Sequence, residues 1–220
     1  GKSFLCIDDK EIKKIIYKIK NKNFFTYGFS KKANFNIINP VYKKDHSLFD
    51  LKISIPGIKK TLIKKIKLNL IGEYNVLNSA SAIALSLHIG IDIKIIRKAL
   101  INFSGIQRRL TKVFENKKRE FFDDYAHHPT EIKSVLSSLR KINKNRKIIS
   151  VFQPHRFSRL KLLKNEFAKS FKDSNLVVLC PVYPAGEKID KNYNKLSFAK
   201  HISKKSNVQV ITVENQIELK

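Results

Sequence analysis

The sequence predicts an α/β fold in two parts, the first spanning residues 1–104 and the second residues 105–220. Two observations predict it. In the first part, three alternating apolar runs precede two helical stripes. In the second, strand-like and helix-like segments alternate in a β-α-β-α-β-α-β order. Right-handed crossovers turn that order into a mostly parallel sheet with helices on both faces. The chain of 220 residues is 42% apolar, enough for a sizeable core in one large domain or two ordinary ones.

Residues 3–7 read as a short buried strand. Asp9 caps a helix running to about Ile19, with Ile12, Ile15, Ile16 and Ile19 on one face. Residues 24–27 form a second strand. Segments 35–41, 48–55 and 61–70 alternate, with Gly, Pro, Asn and Lys at the breaks, as a small antiparallel meander does. Gly72 opens a helix over 73–88, on which Val76, Leu77, Ala80, Ile83, Ala84 and Leu87 make one apolar stripe, and Gly90 ends it. Asp92 caps a further helix to about Ile101, and Ser104-Gly105 marks a hinge or boundary. Beyond it, 110–115 and 119–123 read as a hairpin. Pro129 takes the favoured first position of a helix to about Lys141, with Glu131 in its first turn. Strand 147–152, helix 160–171, strand 176–180, helix 195–203 and strand 208–213 follow.

The net charge of +27 raises nucleic-acid binding as a reading. Against it, 37 of the 45 basic residues are lysines scattered over helix faces and loops, with no stripe interleaved with exposed aromatics, so solvated surface charge is expected and no nucleic-acid partner. Four of the eight arginines instead fall in two short stretches, Arg108-Arg109 and Arg156 with Arg159. Guanidinium binds carboxylate or phosphate bidentately, which lysine does not. No apolar run reaches the length of a membrane span, and no export signal opens the chain, so no membrane partner and a cytoplasmic location are expected. Cys6 and Cys180 lie in apolar runs far apart and read as buried reduced thiols. The chain begins with Gly and holds no methionine, so a fragment or processed piece is expected.

In a parallel sheet, ligands bind beyond the carboxyl ends of the strands. Three polar loops occupy that position: DDYAHHP, QPHRFSR and PVYPAGE. The topology therefore gathers Asp124, His127, His128, His155, Arg156, Arg159 and Glu187 along one edge. Zinc is a competing reading of DDYAHH with His155. Adjacent His127 and His128 point apart, however, and no HExxH or CxxC spacing is present, so no metal ligands are assigned. In GEYNVLN, Asn75 and Asn78 share a helix face. They suit either an adenine edge, which a carboxamide reads by donating and accepting, or the capping of a helix start. In SGIQRR, Arg108 and Arg109 suit either bound phosphates or a basic linker.

GEYNVLN, SGIQRR, DDYAHHPTEI, VFQPHRFSR and PVYPAGE, in this order and spacing, closely resemble the bacterial Mur ligases, and within them the alanine-adding branch. GKSFLCIDDKEIKKII and TYGFS match the same family, so the resemblance covers essentially the whole chain. It implies that residues 1–104 are the later part of the central ATP-binding domain. Residues 105–220 are then a Rossmann-like, amino-acid-binding C-terminal domain, cut off in its final strand-and-helix unit. The family's sugar-nucleotide domain and its phosphate-binding loop are not in this stretch, where no GxxxxGK[ST] occurs. The chain alone is therefore expected to be inactive.

The resemblance further implies the family's chemistry. ATP, with Mg²⁺, phosphorylates the lactyl carboxylate of UDP-N-acetylmuramate, and the amine of L-alanine then displaces phosphate. Carried over residue by residue, Asn75 and Asn78 match adenine contacts, and Arg108 or Arg109 matches an arginine reaching ATP. Asp124 matches an aspartate near the ribose and phosphates. Tyr125, His127, His155, Arg156 and Arg159 match the group around the amino acid and lactyl end, with His127 and Asp124 as catalytic candidates. Where the family commonly has Arg-His before the first asparagine, this chain has Glu73-Tyr74. The alternatives are a ligase that recycles murein peptides, against which FQPHRFSR argues, and a basic, non-catalytic nucleic-acid-binding module.

Overall fold

In a computed structural model, which describes residues 1–20 and 23–215, the strands of the first hundred residues join one five-stranded sheet. Its order is β1 (Ser3–Cys6), β2 (Phe24–Gly28), β3 (Phe35–Tyr42), β4 (Ser47–Ile53) and β5 (Thr61–Leu68). β3, β4 and β5 form the predicted antiparallel meander, while β1, β2 and β3 pair in parallel. The meander is therefore one side of a mixed sheet, not a sheet of its own.

Helix α1 (Lys10–Ile15) is capped as predicted, with the Asp9 carboxylate accepting the Glu11 and Ile12 amides at 2.9 Å. It ends early, passing into a 3₁₀ turn over Ile16–Lys18, and Ile15 is 50% exposed. Consecutive β-branched Ile15 and Ile16 before Tyr17 are weak helix formers, and only Ile12, Ile16 and Ile19 are partly covered. Helices α2 (Glu73–His88) and α3 (Ile93–Asn102) lie where the stripes place them, and Asp92 caps α3 through the Lys94 amide at 2.7 Å. Val76, Ala80, Ile83 and Ala84 of α2 are fully buried against sheet residues such as Phe49 and Leu51.

Gly28, at φ +148°, ends β2 beside Asp8, whose carboxylate accepts the Phe29 amide at 2.5 Å and the Ser30 amide at 3.2 Å. A Cβ on Gly28 would lie 2.4 Å from that carboxylate. Gly28→Ala is therefore expected to lower stability by about 1–3 kcal/mol through strain and displacement of Asp8. Thermal melting measures it, and an unchanged midpoint would contradict it.

Contacts divide the chain between Ile106 and Gln107 into two compact units. The second begins with an antiparallel hairpin, β6 (Thr111–Glu115) and β7 (Glu120–Asp123), followed by α4 (Pro129–Ile142). Then come β8 (Ile149–Phe152), α5 (Phe157–Leu162), α6 (Lys164–Ala168), β9 (Leu176–Leu179), α7 (Lys195–Ser206) and β10 (Gln209–Thr212). The predicted helix 160–171 starts three residues earlier and breaks at Leu163, whose φ of −113° is not helical. The predicted strand 208–213 is β10.

Two topological expectations are corrected. β7 pairs with β6 in the predicted hairpin, but among the described residues it is not also a strand of the parallel sheet, which is three-stranded in the order β10-β9-β8. Among the described residues, helices are also not found on both faces. Ile132 and Leu136 of α4, Leu160 of α5, Phe167 of α6 and Phe198 and Ile202 of α7 share one core with Phe152, Val177 and Leu179. The strand order explains this. Strands added always in the same direction through right-handed crossovers carry every helix on one side, and only a reversal of order brings the other side into use. On the opposite face, Ile149 and Val151 are each 60% exposed and Ile211 is 43% exposed.

Arg140 of α4 ties this unit's ends together. Its guanidinium donates to the carbonyls of Arg146 (2.7 Å) and Asp173 (2.8 Å) and to the Asn175 side chain (2.7 Å). Cys6 is half-buried, Cys180 is buried, both are free, and burial pushes both thiols up. No described helix is long and apolar enough to cross a membrane.

Candidate active site

The three polar loops meet in the second unit. The first, after β7, is folded by its own carboxylates. Asp124 accepts the Ala126 amide and, across the loop, the Leu110 amide, both at 2.7 Å. The Tyr125 amide donates to the Arg108 carbonyl at 2.8 Å. These bonds stitch the Arg108-Arg109 segment to the loop, and Arg108 and Leu110 take positive φ (58° and 50°) to reach it. Burial raises the Asp124 pKa, opposed by those two amides and by Arg109.

Glu131, on the first turn of α4, bonds back to the loop. Its Oε2 accepts the His127 amide at 3.0 Å and the His128 amide at 3.1 Å, and its Oε1 lies 3.5 Å from Arg109. Burial pushes this carboxyl up, but the two amides, His127 and Arg109 together hold it below its ordinary value. Its ionised form is thus favoured in the folded state. That contribution to stability is present above the unfolded carboxyl value of about 4.3 and is lost as pH falls through the lower folded value. The stability gap between wild type and Glu131→Gln is expected to close as denaturant midpoints are followed from pH 7 down past about pH 4. A gap independent of pH would contradict this.

The two adjacent histidines separate. His128 caps α4, its Nδ1 accepting the Thr130 amide at 3.3 Å. His127 turns toward the second loop, its ring 5.3 Å from Tyr125 and 6.1 Å from His155. His127 Nδ1 lies 2.9 Å from the Tyr125 carbonyl, which only accepts. Nδ1 is therefore the donor in this contact, and Nε2 is the ring nitrogen not engaged by it.

The second and third loops are zipped together. His155 and Tyr183 form a parallel bridge with rings 5.4 Å apart. The Tyr183 amide donates to the Pro154 carbonyl at 2.8 Å, and the Arg156 amide to the Tyr183 carbonyl at 2.9 Å. Arg156 is the N-cap of α5 at φ 70°, and Arg159 follows one turn on, 3.5 Å from His155 Nδ1. Partial burial, then Arg159, Arg156 and His127, lower the His155 pKa and favour its neutral form. Tyr125, His127, His155 and Tyr183 thus form a continuous row of rings beside two guanidinium groups. Such a site suits a small carboxylate-bearing molecule whose other end meets a neutral imidazole.

Of the residues singled out from the sequence, Asp124, Tyr125, His127, His155, Arg156 and Arg159 all fall in this cluster. Arg108 packs over the Tyr125 ring at 4.8 Å and pairs with Asp123 at 3.4 Å. Asn75 and Asn78 belong to the first unit and differ from each other. Asn75 is buried, its amide donating to the Ile71 carbonyl at 2.8 Å ahead of α2, whereas Asn78 is exposed. Among the described residues no group of three His, Cys, Asp or Glu is arranged to hold a metal. Sequence reasoning missed Glu131 and Tyr183 as site-shaping residues. A glutamate two residues into a helix after HHP was the available signal for the first. Nothing local marked Tyr183.

The comparisons with known proteins fit this arrangement. The model of the Mur ligase middle domain matches residues 1–86, and that of the Mur ligase glutamate ligase domain matches residues 108–219. The chain is 51% identical over 219 residues to the UDP-N-acetylmuramate–L-alanine ligase of Pelagibacter ubique, covering all of this chain and 47% of that protein. It is 43% identical over 189 residues to the ligase of the same name from Brachyspira hyodysenteriae, covering 85% of this chain and 39% of that one. It thus spans about half the length, or less, of these relatives. The crystal structure of a UDP-N-acetylmuramate–alanine ligase from Thermotoga maritima superposes with TM-score 0.68 at 27% identity, over 89% of this chain and 40% of that chain. Taken with the two matched domains, the loops just described place this chain in the Mur ligase family.

Proposed function

We propose that this chain supplies the amino-acid-accepting part of a cytoplasmic, ATP-dependent ligase that joins L-alanine to the lactyl carboxylate of UDP-N-acetylmuramate. The observation that carries the proposal is the grouping of Arg156 and Arg159 with His127 and His155, in a chain 51% identical to a relative that bears that activity in its name. A carboxylate is a poor electrophile at neutral pH. ATP supplies a phosphoryl group that turns it into an acyl phosphate, from which the alanine nitrogen displaces phosphate.

This chain's residues serve the second half of that reaction. The two guanidinium groups take the alanine carboxylate, which fixes where the nitrogen lies. The ammonium must lose a proton before it attacks, and His127, with Nδ1 engaged by the Tyr125 carbonyl, takes it at Nε2. Asp124 holds the loop that carries His127.

The residues fit ATP in part. Exposed Asn78 offers a carboxamide to an adenine edge, and Arg108 and Arg109 offer cationic charge to phosphates. Asn75 has its amide committed to Ile71. The described residues offer no ligand set for Mg²⁺, so no step is assigned to it here.

The test is phosphate release by a full-length protein carrying this sequence, given ATP and UDP-N-acetylmuramate. Release is expected to require L-alanine. Release indifferent to L-alanine, or equally served by the tripeptide of a recycling ligase, overturns the proposal.

A further inference from the structure

Arg156 takes a backbone conformation that residues with a side chain rarely adopt. A non-glycine residue at φ 70° persists only where its surroundings hold it. Two of the holding bonds are the main-chain contacts with Tyr183 and Pro154. They fix the residue from its N-terminal side. From the other side the Arg156 carbonyl accepts the Leu160 amide at 3.2 Å, and the first turn is further held by the carboxylate of Glu187. Its Oε2 accepts the Ser158 amide at 3.0 Å, and its Oε1 accepts the Ser158 hydroxyl. Glu187 is itself placed by a tight turn. Its amide donates to the Pro184 carbonyl at 3.1 Å, with Ala185 and Gly186 at φ 50° and 86° between them. The bonds to Ser158 and the nearby Arg156 charge hold its carboxyl below the ordinary range, so it is ionised at neutral pH.

We propose that Glu187 is a positioning residue that acts through Ser158 to fix the backbone turn from which Arg156 and Arg159 project toward the incoming carboxylate. This rests on the reading of those arginines as the amino-acid site. The geometry gives the third loop a definite task. It touches no reacting atom. It closes the first turn of α5 with a protein carboxylate, so that the bound amino acid is held by side-chain guanidinium and not by helix amides. Arg156 and Arg159 can then share one anion only while the turn between them keeps its shape.

The test compares Glu187→Ala, Glu187→Gln and Arg156→Ala in the full-length ligase. Glu187→Ala is expected to raise the KM for L-alanine about tenfold, with the KM values for ATP and UDP-N-acetylmuramate moving less than about twofold. Glu187→Gln keeps an acceptor for the Ser158 amide and should recover part of the loss. Amide hydrogen exchange at Ser158, read on the 220-residue chain, should accelerate in Glu187→Ala and less in Glu187→Gln. A residue that merely stabilised the fold would shift all three KM values or only the melting temperature. If Arg156→Ala raises the alanine KM and Glu187→Ala does not, the positioning role is overturned and the amino-acid site stands. If neither variant changes it, the amino-acid site is overturned and the positioning role with it.

Discussion

Replacing Arg156 by alanine is expected to raise the KM for L-alanine well over tenfold in the full-length ligase. The magnitude follows from the bond removed. A charge-assisted hydrogen bond to a carboxylate contributes about 1.5–3 kcal/mol, and each 1.4 kcal/mol is a factor of ten. Arg156→Lys keeps the charge and loses the planar fork, so it should recover only part of the affinity. Arg156→Gly removes the same side chain but relaxes the backbone at φ 70°. It should therefore match alanine in KM while being no less stable. A normal KM in the alanine variant would remove Arg156 from the site, and a glycine variant that behaved as wild type would mean that the backbone, not the guanidinium, matters.

Phe167→Ala should have the largest effect on stability, about 3–5 kcal/mol. Phe167 is 1% exposed and lies with its ring 5.8 Å from Phe152, on the core shared by α4–α7 and the parallel sheet. Its removal leaves a cavity that the helix, only five residues long, cannot close without losing its seat. Leu162, 80% exposed on the neighbouring helix, is the control, and its alanine variant should stay within about 0.5 kcal/mol of wild type. Urea midpoints measure both. A Phe167 variant as stable as that control would show that this core is not where the unit's stability resides.

The sequence made most elements and nearly all of the site legible, because both depend on short-range rules. Stripe spacing placed α2, Asp9 and Asp92 marked helix starts, and polar loops after strands collected the site residues. What stayed hidden was set by partners distant in sequence. Spacing shows that 111–115 and 120–123 pair as a hairpin, but not that the second of them stays out of the parallel sheet. The alternation of strands and helices is the same whether strand order reverses or not, so the one-sided helix layer was not visible in it. Asn75 and Asn78 have the same local signature. Only the direction in which α2 turns its buried face separates the one tied to Ile71 from the one left in solvent. Glu131 reads from sequence as a first-turn acid, and its grip on two histidine amides appears only when the loop folds back.

The side of the parallel sheet that carries no helix among the described residues has a consequence for how the isolated chain behaves in solution. Ile149 and Val151 on β8 and Ile211 on β10 present exposed apolar side chains on the two edge strands of the sheet. Such a surface attracts its own copies at short range. The net charge of +27 opposes this at long range. Its reach is the Debye length, about 30 Å at 0.01 M salt and about 8 Å at physiological ionic strength. Colloidal stability of the chain is therefore a balance that added salt tips toward association, and the lysines scattered along the sequence act as its dispersant.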